Sequence, residues 1–511
     1  MRKIIFTFLH LYIFTFFAFG EASAQEPLAP KWVGKVQKKS IVEVYTYDKD
    51  KQLKSQGTGF FVTADGVCVA DYGLFKDAYS AVVTDVKGNK YDVEKILGAD
   101  ETYSLVKFQV AGMKKSVPLE MGQLVPFAGS ENGSKVYAVV FSARPSVTCP
   151  QTSVAAVSEL GGGNVYLTLA DSIAEKYYGA PLFDEAAKLV GMVQPSIDRQ
   201  GYAIGAKYID TLKIEAIASK MNSLALGNIH IRKGIPDNMD EALVYLYFKS
   251  RTADNDEYMA MLNEFVATYP QNAEGYLRRS TPLIDLQRFD EAENDLQKYL
   301  SLATDKGKAY ASVADVIYTK LVYQPTPEYD RWTYQVAVDY VDKAMAVDSA
   351  KLDYKLLKGR ILTAAKRYDE AIALYDDINN SKDRSAATYY AACLVHDQNG
   401  DTATVQIEQL DSAIALFGTP LPKEASTYVM HRAKLYERIG EYRKAVMDYN
   451  TYCYLVNNKV NDQFYFDRAV VELRARMYQQ CLDDLNKAIE LNPNEPSYKE
   501  TKKNLEEALG I

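Results

Sequence analysis

Two patterns of hydrophobic positions divide the chain near residue 240. From Ile41 to about Leu212, short runs of β-branched and aromatic residues alternate with turn residues such as Asp65 and Gly66. This pattern is typical of strands, so we expect an all-β barrel or sandwich. After Asp240 the apolar positions recur every three to four residues, as in amphipathic helices. Because 511 residues exceed what one core usually supports, the sequence predicts a multidomain fold, all-β and then all-α.

The helical half contains an internal repeat. The segments RFDEA at 288–292, RYDEA at 367–371 and EYRKA ending at Ala445 are alike, and the last unit places Cys481 at the corresponding position. These units resemble the tetratricopeptide repeat (TPR), a helix-turn-helix of about 34 residues. The resemblance implies a TPR array of about six repeats over 240–494. A polar capping helix is expected over 495–511.

The strand-rich half resembles another family. GTGFFVTADGVCVADYGLF, ADETYSLVKFQV, KVYAVVF and YYGAPLFDEAAKLVGMV follow one another in the order of motifs found in HtrA/Deg-type trypsin-like serine proteases. The resemblance implies a trypsin-like double β-barrel over 25–222. A linker is expected over 223–239, where GNIHIRKGIPDNMD interrupts the periodic pattern.

The catalytic positions that this resemblance assigns carry other residues. Gly73 stands at the place of the histidine, Thr102 at that of the aspartate and Tyr178 at that of the serine, with Tyr72 at the histidine place if the alignment shifts by one. A serine nucleophile needs an adjacent base, and no histidine lies between residues 25 and 229. We therefore expect a pseudoprotease, not an enzyme, with no catalytic residues.

The loop YYGAPLF keeps a small residue followed by Pro-Leu-Phe, which preserves backbone shape and not chemistry. Two interpretations of Tyr178 stay open. Its side chain either plugs or relines the former cleft for binding, or packs half-buried on a vestigial loop.

The TPR resemblance also implies a concave face, formed by the first helix of each repeat, that binds a protein or peptide. The plainer alternative is that the inward positions only contact the neighbouring repeat. On the last two units these positions are Thr427, Met430, Lys434 and Glu437, followed by Gln463, Phe466, Val470 and Leu473.

The N-terminus has the pattern of an export signal. Arg2 and Lys3 precede an apolar run over 4–20, and the small residues of Ala22, Ser23 and Ala24 form a cleavage pattern. We expect a signal peptide at 1–24 and a mature protein in the periplasm or cell envelope of a bacterium. A retained membrane anchor is the alternative. No later stretch is apolar enough to span a membrane.

The charge and the motif content of the chain limit the classes of partner and cofactor that it is expected to bind. The net charge is −8 and its acidic excess falls in the helical half, which argues against nucleic acid. No phosphate-binding loop, HExxH, EF-hand string or CxxC occurs, so no cofactor and no metal are expected. Cys68 and Cys149 are either a disulfide pair or two buried thiols. Nothing in the sequence indicates an oligomeric state.

These expectations favour an exported, non-catalytic scaffold or adaptor that binds proteins through its repeats. One alternative is an enzyme or its accessory, meaning a serine-type hydrolase with a relocated nucleophile or the regulatory subunit of a protease complex. Another alternative is a chaperone-like holdase that uses the same groove for unfolded clients.

Overall fold

The computed structural model describes most of the chain after residue 27. The described ranges are 28–113, 115–122, 133–144, 146, 148–196, 198, 200–217 and 220–510. The predicted signal peptide and His10 lie outside them. By its internal contacts the chain forms two compact units, one ending at Pro270 and one beginning at Gln271.

The first six strands close into a barrel in the order β1-β2-β3-β6-β5-β4, with every neighbouring pair antiparallel. Gly66, with φ +96°, lies in the tight turn between the second and third strands, where the sequence predicts a hairpin. The strands are β1 (Ile41–Tyr47), β2 (Leu53–Phe61), β3 (Val67–Asp71), β4 (Ser80–Thr84), β5 (Lys90–Asp100) and β6 (Leu105–Val110). Helix α1 (Val33–Lys39) precedes this barrel, and the short α2 (Tyr72–Phe75) follows β3.

The next six strands close into a second barrel in the order β10-β11-β12-β9-β8-β7. The hairpin between its second and third strands in the chain turns at Gly161, Gly162 and Gly163, all with positive φ. The strands are β7 (Lys135–Ala138), β8 (Gln151–Gly161), β9 (Asn164–Leu169), β10 (Pro181–Phe183), β11 (Leu189–Val193) and β12 (Tyr202–Gly205). Helix α3 (Ala206–Thr211) directly follows.

A shared core joins the two barrels. Leu105 from the first barrel and Phe183 and Ile204 from the second are fully buried in the same cluster. Trp32, next to α1, packs its ring 5.3 Å from that of Phe183 and 5.8 Å from that of Tyr137. The segment before the first strand therefore helps to fasten the barrels together.

The first compact unit also includes a pair of helices that the sequence assigns to the repeats. After α4 (Lys220–Gly227), helices α5 (Met239–Lys249) and α6 (Asn255–Thr268) share a core with Ile214 and Ile235. Glu264 of α6 pairs with Lys95 of β5 at 2.6 Å and also with Arg232. Since the Glu264 side chain is only 12% exposed, this network fixes the helix pair against the first barrel.

The second compact unit is all helical. It consists of six consecutive helix pairs and a final helix over the described residues 271–510. The pairs are α7 (Ala273–Asp285) and α8 (Phe289–Leu302), α9 (Lys306–Tyr323) and α10 (Tyr334–Val347), α11 (Leu352–Ala364) and α12 (Tyr368–Asn379), α13 (Ala386–Asn399) and α14 (Ala403–Ala415), α15 (Ser426–Arg438) and α16 (Tyr442–Leu455), α17 (Asp462–Arg474) and α18 (Tyr478–Leu491). The final helix is α19 (Pro496–Leu509). The predicted fold class, a double β-barrel followed by an all-helical array, is confirmed.

A left-handed residue forms the turn between the two helices of most pairs. Gly400, with φ +82°, lies between α13 and α14, and Gly440, with φ +79°, lies between α15 and α16. Gln287, Lys366 and Arg476 adopt φ values of +58° to +60° at the turns of three others. This conformation is uncommon for residues with a side chain, so the packing of the helix pairs imposes it on these three positions.

A buried ion pair joins the two helices in three of the pairs. Arg279 of α7 donates two hydrogen bonds, of 2.7 and 2.8 Å, to the carboxylate of Asp295 sixteen residues later in α8. Arg432 with Asp448 and Arg468 with Asp484 repeat this geometry at the same spacing. All three aspartates are 5–7% exposed. Two parallel bonds of this kind fix distance and angle together.

None of the described helices is both long and apolar enough to cross a bilayer. All five cysteines are described and buried, and the structure joins none of them in a disulfide. Burial raises the pKa of the Cys68 thiol, which disfavours the reactive thiolate.

Replacing Asp295 with alanine should destabilise the helical unit by about 3 kcal/mol, because Arg279 is left without its buried partner. Urea unfolding of the full chain, followed by far-UV circular dichroism, measures this loss. Lys503→Ala is the control, since its pair with Glu507 spans 3.6 Å between side chains 74% and 65% exposed. That variant should change stability by less than about 0.5 kcal/mol. Equal effects of the two would contradict a special role for the buried pair.

Glu472 makes the stability of the array depend on pH. Burial first, and then the neighbouring Asp484, raise its pKa to about 8, whereas Arg468 opposes the shift. The carboxylate oxygen Oε2 of Glu472 is buried without a hydrogen-bond partner among the described residues. The folded chain therefore holds a proton on Glu472 that the unfolded chain releases near the ordinary carboxyl pKa.

Because the folded pKa is the higher one, the contribution of Glu472 is complete at acid pH and is lost as pH rises towards 8. The free energy of unfolding should fall between about pH 5 and 8, by at most about 1.4 kcal/mol per pH unit. Glu472→Gln should reduce this slope and be more stable than the wild type at pH 8. A wild-type-to-variant difference that is constant over this range, in urea titrations at several pH values, would rule out the effect.

Candidate functional site

Asp71 lies where segments of both barrels meet. It is the last residue of β3 and directly precedes α2, and its Oδ1 accepts a hydrogen bond of 2.6 Å from the Ser104 hydroxyl. Ser104 lies in the turn between β5 and β6 with φ +46°, a left-handed conformation that is uncommon for serine. The bond therefore ties the end of one strand to a tight turn between two others.

Two glycines make room for Asp71. A Cβ on Gly73 would lie 2.7 Å from Oδ2 of Asp71, and a Cβ on Gly179 would lie 2.8 Å from the Cβ of Asp71. Gly179 also has φ +77°, which favours glycine. The Asp71 carboxylate thus occupies the space in which a side chain at position 73 would begin, directly against the loop of Tyr178.

The environment of Asp71 shifts its protonation. Burial raises the pKa of the carboxyl, and the hydrogen bond from Ser104 partly opposes that shift. The Ser104 hydroxyl, hydrogen-bonded to the Asp71 carboxylate, resembles a nucleophile with its base. Sequence reasoning missed it, because neither residue stands at an expected catalytic position.

The three positions that the sequence assigns to a catalytic triad lie around Asp71 without forming a triad. Gly73 is exposed at the start of α2, and Thr102 is exposed in the turn that contains Ser104. Tyr178 is half-buried, and its ring packs on the core of the second barrel. Its hydroxyl donates a 3.3 Å hydrogen bond to the carbonyl of Ser196, in the loop between β11 and β12.

The backbone N–H groups of the Tyr178 loop are used within the protein. The N–H of Tyr178 donates to the carbonyl of Glu175, that of Gly179 to Val193 and that of Ala180 to Tyr177, at 2.9–3.0 Å. Stabilising an oxyanion requires such N–H groups to point at the substrate, including that of the nucleophile residue itself. The loop as it stands offers no donor from these three residues.

The described histidines take structural positions. His230 stacks on Tyr79 with ring centroids 4.2 Å apart, and buried His396 bonds Asp401 through Nδ1 at 2.7 Å. His431 packs edge-on against Tyr390, and burial lowers its pKa. Among the described residues, no three His, Cys, Asp or Glu side chains cluster in a way that would hold a metal ion.

The eight residues predicted to bind a partner lie on α15 and α17. Thr427, Lys434 and Gln463 are exposed and the other five are half-buried. Phe466 packs its ring 4.7 Å from that of Tyr498 on α19, so contact with the next helix accounts for at least this member of the set. Lys434 lies 3.1 Å from Glu437 within α15. Ligand contact by these residues stays a prediction.

The structure also contains a pocket in the helical unit that sequence reasoning missed. Its volume is about 370 Å³, and it is lined by α9, α11, α12 and α13, including Tyr318, Arg360, Tyr375 and Leu394. The repeat pattern does carry a signal for it. Gly359 stands where the last two repeats have Ala433 and Ala469, which indicates unusually close packing at this point.

Comparisons with known proteins find relatives over parts of the chain. No model of a known protein family matches it. It is 27% identical over 234 residues to the anti-sigma-I factor RsgI9 of Acetivibrio thermocellus, covering 45% of this chain and 31% of the relative. It is 30% identical over 141 residues to the DnaJ protein P58IPK homolog of Arabidopsis thaliana, and 27% over 147 residues to homolog A of Oryza sativa. These plant matches cover 26% and 27% of this chain, and 29% and 31% of the relatives. The chain spans about a third of each relative's length.

Gly179→Ala should destabilise the first unit more than Gly88→Ala does. Both positions have positive φ, so each substitution should cost about 1 kcal/mol of backbone strain. A Cβ on Gly88 meets nothing within 4 Å, whereas one on Gly179 meets Asp71 and should cost about 1–3 kcal/mol more. Differential scanning calorimetry of the full chain compares them. Equal losses would show that Asp71 does not press on the loop.

Proposed function

We propose that the chain is an exported, non-catalytic scaffold or adaptor of a bacterial cell envelope. In this proposal a trypsin-like pseudoprotease domain is followed by a TPR array that binds a protein or peptide. The mature protein begins after the signal peptide at 1–24. No cofactor takes part.

One observation carries the non-catalytic part of the proposal. The N–H groups of Tyr178, Gly179 and Ala180 are bonded to carbonyls of the protein itself. The Asp71 carboxylate lies over Gly73, where the resemblance would have the general base, and no imidazole occurs between residues 25 and 229. A loop without an oxyanion hole and without a base supports no acyl transfer by the usual serine route.

The protein-binding part of the proposal rests on the helical unit. Stacked helix pairs bury one face of each helix and leave another face open to a partner. The partial likeness to proteins named DnaJ P58IPK homolog and anti-sigma-I factor is consistent with a role in binding other proteins.

A chaperone-like holdase is the second candidate. The DnaJ name of the plant relatives favours it, and the same helical face would hold unfolded clients. A holdase would suppress the aggregation of several unrelated unfolded proteins, whereas a scaffold would bind one folded partner at a fixed ratio. Aggregation assays with citrate synthase and with reduced insulin separate these two functions.

A fluorophosphonate probe should leave the wild-type chain unlabelled, as measured by intact-mass spectrometry, because the Tyr178 loop has no serine at the nucleophile position and its N–H groups are bonded within the protein. Ser104 is the residue to examine for labelling, since its hydroxyl donates a hydrogen bond to the partly buried Asp71. Labelling that disappears in Ser104→Ala would replace the scaffold proposal with a hydrolase that has a relocated nucleophile. Active trypsin serves as the positive control.

Affinity capture from envelope extracts tests the binding role. The full chain should retain a partner at a fixed ratio, and Lys434→Glu should reduce its recovery. Arg443→Glu on α16 is the matched control, since it makes the same change of charge at another exposed position. Failure of the full chain to retain any partner at a fixed ratio would contradict the scaffold role.

A further inference from the structure

The pocket of about 370 Å³ in the helical unit, here called the central pocket, has an apolar wall. Val322 of α9 and Leu394 and Val395 of α13 line it, with Ala364 and Ala391 between them. Leu394 is 40% exposed although its neighbours in the helix are buried. This wall offers apolar surface to a side chain that enters from solvent.

Tyr375 forms the floor of the central pocket and packs directly against a glycine. Tyr375 of α12 is 3% exposed, and its ring reaches across to α11 because Gly359 has no side chain there. A Cβ on Gly359 would lie 2.7 Å from the hydroxyl oxygen of Tyr375. No described residue makes a hydrogen bond to this hydroxyl, although it lines the cavity. Since the hydroxyl is not sealed from solvent, a ligand that enters the cavity can replace water as its hydrogen-bond partner.

A positively charged side chain, that of Arg360, lies at the rim of the central pocket. Arg360 of α11 is next to Gly359, and its side chain is 56% exposed. The guanidinium lies over the Tyr318 ring, 5.7 Å from the ring centroid. Its distance to the Asp315 carboxylate is 3.6 Å, which is longer than an ordinary hydrogen bond. Arg360 therefore has hydrogen-bond donors available to a second carboxylate.

We propose that the central pocket binds one tyrosine side chain of an extended partner peptide, with an adjacent acidic residue held by Arg360. This inference rests on the proposed protein-binding function and identifies its ligand chemistry. The ring of the incoming tyrosine lies against Val322 and Leu394. Its hydroxyl pairs with that of Tyr375, and the neighbouring carboxylate meets the guanidinium at the rim.

Each part of the pocket matches one part of this ligand. An aliphatic side chain would contact the apolar wall but offer no hydrogen bond to the Tyr375 hydroxyl. A lysine would bring a second cation beside Arg360. A tyrosine followed by glutamate satisfies the wall, the floor and the rim together.

Three acetylated and amidated hexapeptides of sequence GSYESG, GSAESG and GSYQSG test the proposal. They are titrated into the full chain labelled in its leucine and valine methyl groups, and NMR reports the shifts of Val322, Leu394 and Val395. The first peptide should bind at about millimolar concentration, as expected for a short and flexible ligand. The alanine peptide should bind at least tenfold more weakly, and the glutamine peptide about threefold more weakly.

Two variants connect these losses to named residues. Arg360→Gln should weaken GSYESG about threefold and leave GSYQSG unchanged, which isolates the contact with the carboxylate. Tyr375→Phe should weaken GSYESG but not the phenylalanine peptide GSFESG. Arg443→Gln, far from these residues in sequence and outside the pocket lining, is the control and should change nothing.

The outcomes separate this inference from the general function. Equal binding of the tyrosine and alanine peptides, or equal effects of Arg360→Gln and Arg443→Gln, would overturn the central pocket as a tyrosine site. Absence of methyl shifts with every peptide would also overturn it. If the pocket fails these tests while the full chain still captures a partner at a fixed ratio, the scaffold function stands without it.

Discussion

The bidentate pairing of arginine with a buried aspartate is the interaction on which the helical unit most depends. It recurs between α7 and α8, between α15 and α16, and between α17 and α18, always across sixteen residues. The guanidinium fork matches the carboxylate only at one distance and orientation, so it sets the helix crossing as well as stabilising it. The middle of the array lacks this pair. In α11 and α12 the corresponding positions hold Lys358 and Leu374. The next residues, Gly359 and Tyr375, make a close contact beside the central pocket.

A single carboxylate has a comparable role in the barrel unit. Asp71 is the point where the end of β3, the turn of Ser104 and the loop of Gly179 meet. Gly73 and Gly179 have no Cβ, which would contact Asp71. Ser104 donates to Asp71 from a left-handed backbone conformation. A side chain at position 73 would meet the Asp71 carboxylate, so the packing at this point is linked to the proposed loss of catalysis.

Much of the fold could be predicted from periodicity, because the change from a period of two to one of 3.6 is sustained over long segments. The all-β half and the all-helical half followed from it, whereas the double barrel was implied by the resemblance of the first half to trypsin-like proteases. The arrangement at Asp71 could not, since it depends on residues that are distant in sequence, Asp71 with Ser104 and with Gly179. The pocket was missed for a related reason. A glycine at position 359 indicates a close approach, but only the structure identifies Tyr375 as the group that approaches.

The pairing of Glu264 with Lys95 and Arg232 has a practical consequence for dividing the chain. A fragment that begins at the first repeat-like helix would separate Glu264 from both partners and expose the apolar side of α5 and α6, including Leu246 and Phe265. Such a fragment would be prone to aggregate for reasons unrelated to its function. A boundary after Pro270 keeps that surface covered, and deletion studies of the two halves are best designed around it.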